Sequence, residues 1–460
     1  MKIIRFLLIL ACSFCGASSA LAQATAIAGG AVIDGTGAPP LPDAVILIEG
    51  KRIVAIGKHG AIDVPAGAKV IDATGKYIIP GLIDTNVHLV MTISEGWLAK
   101  YEDRYEDVGA EYAQVTLKNG LTTIYDSWGP TQPLLNLRDR IRRGELLASR
   151  LYVAGHIPGF PGPLGRDGGT GPVSPFAKRI NKIWEENVGP ELLDMTPDEV
   201  RTEMRKYVAR GVDFIKFAAS SHDWRAVRLM FSPEAMKAIV EEGHKAGITV
   251  QTHTMNIESL RLGVLAGIDM GQHPEIVGAR ELPDDLIKMI VEHRVYCAVL
   301  SMRKDRLEAL KELWKETGAV PTWVHGQGNI EKLIRAGAPI TLATDAFMSD
   351  PEFSPAYSPA YLDEDNPFAF GEAHFLWLEA MIEKGMSPMD AIVAATRNGA
   401  AAYHHLSEFG TLEAGKYADL LALEANPLEN ISNVRKISLV MKEGAVIDRD
   451  RLPEKKILTR

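Results

Sequence analysis

Six polar side chains fall where apolar, strand-like runs of this sequence end, and their types suit a divalent metal. Asn86 and His88 close PGLIDTNVH, Lys216 lies in DFIKF, His253 ends ITVQTH, His273 ends IDMGQH, and Asp345 follows ITLAT. Imidazoles bind zinc-, cobalt- or iron-like ions, and a carboxylate adds charge to the set. An ammonium has no lone pair to give. Lys216 therefore joins such a set only as a carbamate formed with carbon dioxide, a two-oxygen anion able to bridge two ions; otherwise it is a structural cation. No Glu or Asp stands at that strand end in its place. Water on such an ion drops to a pKa of roughly 7 and becomes a nucleophile. Asp345 is placed to take its proton and hand it to a leaving group. Singly, each residue has a plain alternative: a hydrogen-bonded histidine, a lysine that snorkels, an aspartate that caps a helix. Convergence on one rim of a fold is what separates the metal hypothesis from these.

Asn86-Val87-His88 is the odd corner. Side chains at i and i+2 of a strand point the same way, so two histidines there would chelate. An amide oxygen is neutral and a weaker ligand. The corner of Asn86, His88 and Asp345 is expected to hold its ion less tightly than that of Lys216, His253 and His273. One tight ion and a second weak or absent one follow.

Other residues are candidates for substrate contact. These are His222 in AASSHDW, His156 in AGHIPGF, Trp128, and Phe347 and Tyr357 in the insert after Asp345, which also carries Phe353, Tyr361 and Phe368. Such aromatics either line an apolar pocket or staple long loops to the body. The Gly/Pro-rich stretch HIPGFPGPLGRDGGTGP reads as a lid. Glu275 is expected to support His273, and Asp126 and Thr123 to hydrogen-bond near the same rim. Arg166 and Arg225 are the cations available to a substrate carboxylate. His374, His404 and His405 fall on helices and read as structural or exposed, and Cys297, in VYCAVL, as a packed core residue.

The elements that must position these groups alternate. Strands are expected at Tyr77–Asp84, Thr122–Asp126, Arg150–Gly155, Phe214–Phe217, Thr249–His253, Asp269–His273, Val295–Val299 and Ile340–Thr344. Helical patterns such as PDEVRTEMRKYVARG and SPEAMKAIVEEGHKAG lie between them. Eight strands alternating with helices point to an α/β fold, a (β/α)8 TIM-like barrel whose working face is the C-terminal end of the strands. An open doubly wound sheet is the fallback, but no Gly-x-Gly-x-x-Gly follows the first strand. Short β-branched runs split by Gly and Asp recur at both ends, which suggests one small composite β-sandwich made by both termini. The expected division is 23–78 and 406–460 for that β unit and 79–405 for the barrel. Residues 1–22 read as a secretory signal: Lys2 and Arg5, an apolar run from Phe6 to Cys15, then Ala20-Leu21-Ala22. Export to the periplasm or medium follows. Cys12 and Cys15 leave with the signal, so Cys297 has no cysteine to pair with.

With these motifs assembled, the chain resembles the metal-dependent amidohydrolase superfamily along essentially its whole mature length. PGLIDTNVH, NGLTTIYD, SRLYVAG, GVDFIKF, VQTH, GIDMGQHPE, ATDA and GTLEAGKYADLLAL carry the likeness. The resemblance implies a distorted barrel, a composite β-sandwich and one or two metals, zinc foremost, at His88, Lys216, His253, His273 and Asp345. It also looks like the imidazolonepropionase and prolidase-type branch. The Asn-x-His variant is similar to the subgroup containing phenylurea hydrolases and the hydrolase acting on molinate. The implied activity is hydrolysis of an amide, urea or carbamate C–N bond in a small apolar or aryl substrate, with Asp345 as general base and acid. An exported metallo-dipeptidase or carboxypeptidase on the same scaffold is the alternative. A non-catalytic metal-binding homologue ranks below both, because the reacting groups are present.

The 460 residues suffice for a large domain and a smaller one, and the net charge of −9 offers no basic footprint for nucleic acid or anionic lipid. A small molecule is the expected partner, with self-association into a homo-oligomer and no stable membrane attachment after the signal is removed.

Overall fold

A computed structural model describes residues 23–92, 94–165, 173–222, 227–315, 322–347 and 368–453. The expected signal segment, Arg166, Arg225, Phe353, Tyr357 and Tyr361 lie outside the described residues, as does the distal part of the expected lid.

Strands β1 (Thr25–Val32), β2 (Leu41–Glu49), β3 (Arg52–Lys58), β4 (Lys69–Asp72) and β5 (Tyr77–Pro80) come from the N-terminal arm. The barrel strands follow: β6 (Leu82–Val87), β7 (Leu121–Asp126), β8 (Arg150–Val153), β9 (Ile215–Ala218), β10 (Val250–His253), β11 (Met270–Gln272), β12 (Tyr296–Val299) and β13 (Ile340–Leu342). The C-terminal arm adds β14 (Leu420–Leu423), β15 (Ile437–Lys442) and β16 (Ala445–Val446).

The eight middle strands are parallel, in runs β6-β7-β8 and β9 to β13. They are short and buried along nearly their whole length, as strands covered on both faces must be. The two runs meet at two seams. At one, Asp345 N donates to Asn86 O and His88 N to Ala346 O, each at 2.8 Å. At the other, Asp213 N donates to Val153 O at 2.8 Å and Ala218 N to Pro158 O at 3.0 Å. The result is the (β/α)8 barrel. Its helices start where local chemistry tells them to: Pro197–Val208 opens with a Thr196–Glu199 capping box, and Pro233–Lys245 with Ser232 accepting from Ala235 N. The floor is aromatic. Tyr403, just beyond the helix Arg397–Ala402, stacks on Tyr125 with ring centroids 3.6 Å apart and donates to Thr85 O at 2.9 Å.

Both chain ends build one β unit, as expected, in a continuous hydrogen-bonded sheet ordered β16-β15-β14-β5-β1-β2-β3 with β4 beside β1. β14 pairs antiparallel with β5, Leu421 opposite Ile79. Ile27, Ile46, Ile78, Leu420 and Met441 share its core.

The expected strand Tyr77–Asp84 is in fact two. The chain leaves the β unit after Pro80 and enters the barrel at Leu82. Gly81 makes the passage because a Cβ there would meet Thr122 Oγ1 at 2.2 Å. A second correction concerns Thr123. It accepts from Arg150 Nη1 at 3.0 Å at the N-terminal end of the barrel, away from the rim that carries Asp345. Arg150, the first residue of β8, also donates to Asp419 Oδ2 at 2.6 Å and Glu443 Oε1 at 3.1 Å, and lies over the rings of Phe409 and Tyr417. It ties the barrel to the C-terminal arm. His374 is buried and donates from Nε2 to Asn119 O at 2.9 Å, His405 stacks on Tyr152 at 4.5 Å, and His404 is exposed. Cys297 is buried and free.

Candidate metal centre

The rim holds the predicted groups as neighbours. His253 ends β10. His273 and Asp345 stand just beyond β11 and β13, both with left-handed backbones, φ 50° and 55°. Non-glycine residues held in that region commonly mark functional sites. The His253 ring lies 5.3 Å from that of His273 and is stacked at 5.1 Å on that of His222. On the opposite side, Asp345 Oδ1 accepts two hydrogen bonds, from Asn86 Nδ2 at 2.6 Å and His88 Nε2 at 2.9 Å. Lys216 Nζ is buried, 3.4 Å from Asn86 Oδ1 and 3.5 Å from Ser127 Oγ, and Ser127 Oγ donates to Asn86 Oδ1. Among the described residues, no three His, Cys, Asp or Glu side chains are drawn into a ready ligand cluster. The six predicted groups are gathered, but Asp345 is engaged with Asn86 and His88.

Charge is set by burial. Burial pushes the His88 imidazole down, with Lys216 adding to the effect. It pushes His253 well below the usual range, helped by His222 and His273, and His273 down to about 3. Burial alone would raise the Asp345 carboxyl, but His273, the His88 hydrogen bond and Lys216 outweigh it and hold the carboxyl well below its ordinary value. Lys216 falls to about 8, again through burial, opposed by Asp345 and Asp126. Burial thus favours neutral imidazoles and an easily deprotonated lysine, while the hydrogen bonds from Asn86 and His88 favour an ionised Asp345. Because an ionised carboxylate only accepts, the proton in the His88–Asp345 bond sits on His88 Nε2.

The donor set passes a simple test of fit for a divalent ion. His253 Nε2 is buried without a hydrogen-bond partner. A buried polar nitrogen of that kind calls for a ligand, and neutral imidazoles with a carboxylate suit zinc-like ions.

Three buried carboxyls steady the rim. Asp84 accepts from the backbone of Asn86 and Thr344 and from Thr344 Oγ1 at 2.6 Å, Asp126 from Leu89 N at 2.7 Å, and Glu275 from Leu300 N at 2.8 Å. Burial raises them to about 7, 8 and 8 respectively. Each fastens one strand end to its neighbour. Asp126 therefore belongs to the rim as predicted, while Glu275 holds backbone.

An aromatic wall lies beside the centre, and a second apolar wall includes residues that follow His253, His273 and Asp345 in the chain. Trp128 meets the His88 ring at right angles, centroids 6.2 Å apart, and donates from Nε1 to His156 Nδ1 at 3.3 Å. His156 is fully buried and also donates from Nε2 to Phe160 O at 2.9 Å. Both its nitrogens are thus committed within the protein, which corrects the expectation that it meets substrate. Phe160 lies 5.0 Å from His253 and 5.9 Å from Trp128. The second wall joins Met255, Ile276, Leu300 and Met302 to Phe347 and Phe368, whose rings are 5.2 Å apart. Tyr357 falls outside the described residues. Asp84, Ser127 and Phe160 are the residues that sequence reasoning passed over. Only Asp84 left a trace, as a charge inside an apolar strand.

The model of the Amidohydrolase family matches residues 77–447. The chain belongs to this family. It is accordingly a hydrolase of C–N bonds, in a family that generally uses divalent metals. The amidohydrolase superposes on a solved molinate hydrolase with a TM-score of 0.87 at 34% identity, covering 96% of this chain and 98% of that one. For phenylurea hydrolase B the values are 0.88, 34%, 95% and 100%. Among curated proteins, the ochratoxinase of Aspergillus niger is 27% identical over 455 residues, 90% of this chain and 84% of its own.

Proposed function

We propose that this amidohydrolase cleaves a small, neutral, apolar or aryl-bearing urea, carbamate or amide. The observation that carries the reading is Asp345 at the rim, its Oδ1 held by Asn86 and His88, with Trp128 and Phe160 packed beside His88 and His253. Similarity at 34% identity to a molinate hydrolase and a phenylurea hydrolase supports the substrate class. His253, His273 and Lys216 would hold the tighter ion, zinc foremost, with His88 and Asp345 beside it. When bound, such an ion polarises the carbonyl and makes water acidic enough to attack at neutral pH. Asp345 takes the proton and returns it to the leaving nitrogen. His88 keeps Asp345 in place, and Trp128 and Phe160 keep bulk water away. Lys216, buried with only long contacts to its nitrogen, has the lowered basicity that carbamate formation needs. Export is proposed on the N-terminal pattern of Lys2, Arg5 and Ala20-Leu21-Ala22.

A turnover screen tests this on zinc-reconstituted protein, with N-aryl ureas, thiocarbamates and anilides set against Xaa-Pro dipeptides and N-acyl amino acids. Turnover of the first group with loss of activity in Asp345→Asn is the expected result. Turnover of the peptides alone would transfer the assignment to a dipeptidase or carboxypeptidase.

A further inference from the structure

The two ends of the Asn86 amide meet different partners. Oδ1 accepts from Ser127 Oγ and faces Lys216 Nζ at 3.4 Å, while Nδ2 donates to Asp345 Oδ1 at 2.6 Å. Asn86, Ser127 and Lys216 are all buried. Turning the amide over would set its carbonyl oxygen against the Asp345 carboxylate and its NH2 against the Lys216 nitrogen. That exchange replaces the charge-assisted hydrogen bond to Asp345 with acceptor facing acceptor, and sets a donor against the Lys216 N–H. Ser127 is itself fixed, because its backbone N donates to Val87 O at 3.0 Å, on the residue between Asn86 and His88.

Asp345 Oδ1 thus receives both Asn86 and His88, and neither bond uses Oδ2. A carboxylate held by one oxygen keeps the other aimed in a fixed direction. We infer that Asn86 is a positioning residue that clamps Asp345 rather than a metal ligand, and that Ser127 sets the amide orientation in which it works. The inference rests on Asp345 being the proton acceptor of the proposed reaction. It accounts for an amide where a second imidazole would chelate: the amide meets Ser127 and Asp345 at once, Oδ1 accepting and Nδ2 donating.

Two measurements test it on the full chain. The first is a titration of metal-free protein with zinc alone against a competing chelator, for wild type, Asn86→Ala, Asn86→Ser and Ser127→Ala. The expected result is one tight zinc in each, with affinity within about threefold of wild type. The second is kcat and KM on the best substrate of the screen. Asn86→Ala is expected to lower kcat about 10- to 100-fold with KM nearly unchanged. Ser127→Ala should lower kcat about tenfold, and Ser127→Thr, which keeps the hydroxyl, should restore most of it. Asn86→Ser guards against a folding failure of the alanine variant. Loss of the tight zinc in a folded Asn86 variant would make Asn86 a ligand and overturn the inference. So would an unchanged kcat in Ser127→Ala, or a threonine that fails to rescue. If the screen finds no substrate, the functional reading fails, and the zinc titration still decides whether Asn86 is a ligand.

Discussion

Arg150→Met should be among the most damaging substitutions away from the rim. The guanidinium is nearly buried, 9% exposed, against Asp419 at 4%, with hydrogen bonds of 2.6 Å to Asp419, 3.0 Å to Thr123 and 3.1 Å to Glu443. Methionine fills the volume of the stem but leaves the Asp419 carboxylate buried without its cation. Removing one member of a buried ion pair costs about 3–5 kcal/mol. For a chain of 460 residues the unfolding entropy is near 1 kcal/mol per degree. The melting temperature should therefore fall by about 3–5 °C. Calorimetry of the metal-loaded protein is the assay. Arg150→Met combined with Asp419→Leu should recover stability relative to Arg150→Met alone, because no charge is then stranded. Specific activity of the folded protein should not change, since Arg150 sits at the far end of the barrel. A melting temperature within about 1 °C of wild type, or a double variant less stable than the single one, would refute the argument.

Gly81→Ala should destabilise by about 1–3 kcal/mol, because its Cβ meets Thr122 at 2.2 Å; adding Thr122→Ala should relieve much of this in urea melts. Burial holds His374 down at about 3, below its ordinary 6.5. The unfolded chain therefore takes up a proton that the folded one refuses, so its contribution is intact above pH 6.5 and lost as pH falls toward 3. Between those values wild type should lose about 1.4 kcal/mol per pH unit from this group alone, and His374→Gln should flatten that part of the stability profile. Stripping the protein with a chelator should lower its melting temperature, and zinc in excess should restore it. Trp128→Ala should raise KM for aryl substrates more than for alkyl ones, as steady-state kinetics on matched pairs would show.

The barrel was legible because its strands are apolar runs of the right length, each followed by a helix with its own caps. The rim groups were legible because they stand at or near the ends of those runs. What escaped was three-dimensional. Ser127 looks like any serine after a strand until Asn86 and Lys216 are brought to it from other strands. Thr123 was assigned to the wrong end because its partner Arg150 is oriented by Asp419, 269 residues further on. The β5–β6 break hid inside one apolar run, where Gly81 was read as part of a strand and not as a crossing point between sheets. The left-handed backbones of His273 and Asp345 leave only a faint signature in residue type, since Asp and His enter that region more readily than most.

The pairing of β5 with β14 has a consequence for synthesis. Tyr77 lies opposite Leu423, so a ribosome must deliver nearly the whole chain before the first arm finds its neighbour, and Tyr403 closes the floor only shortly before that. Contacts so distant in sequence form slowly and late. The nascent protein has no complete native unit to fall into from its N-terminal half, and any fragment ending before Leu420 exposes an unpaired strand edge.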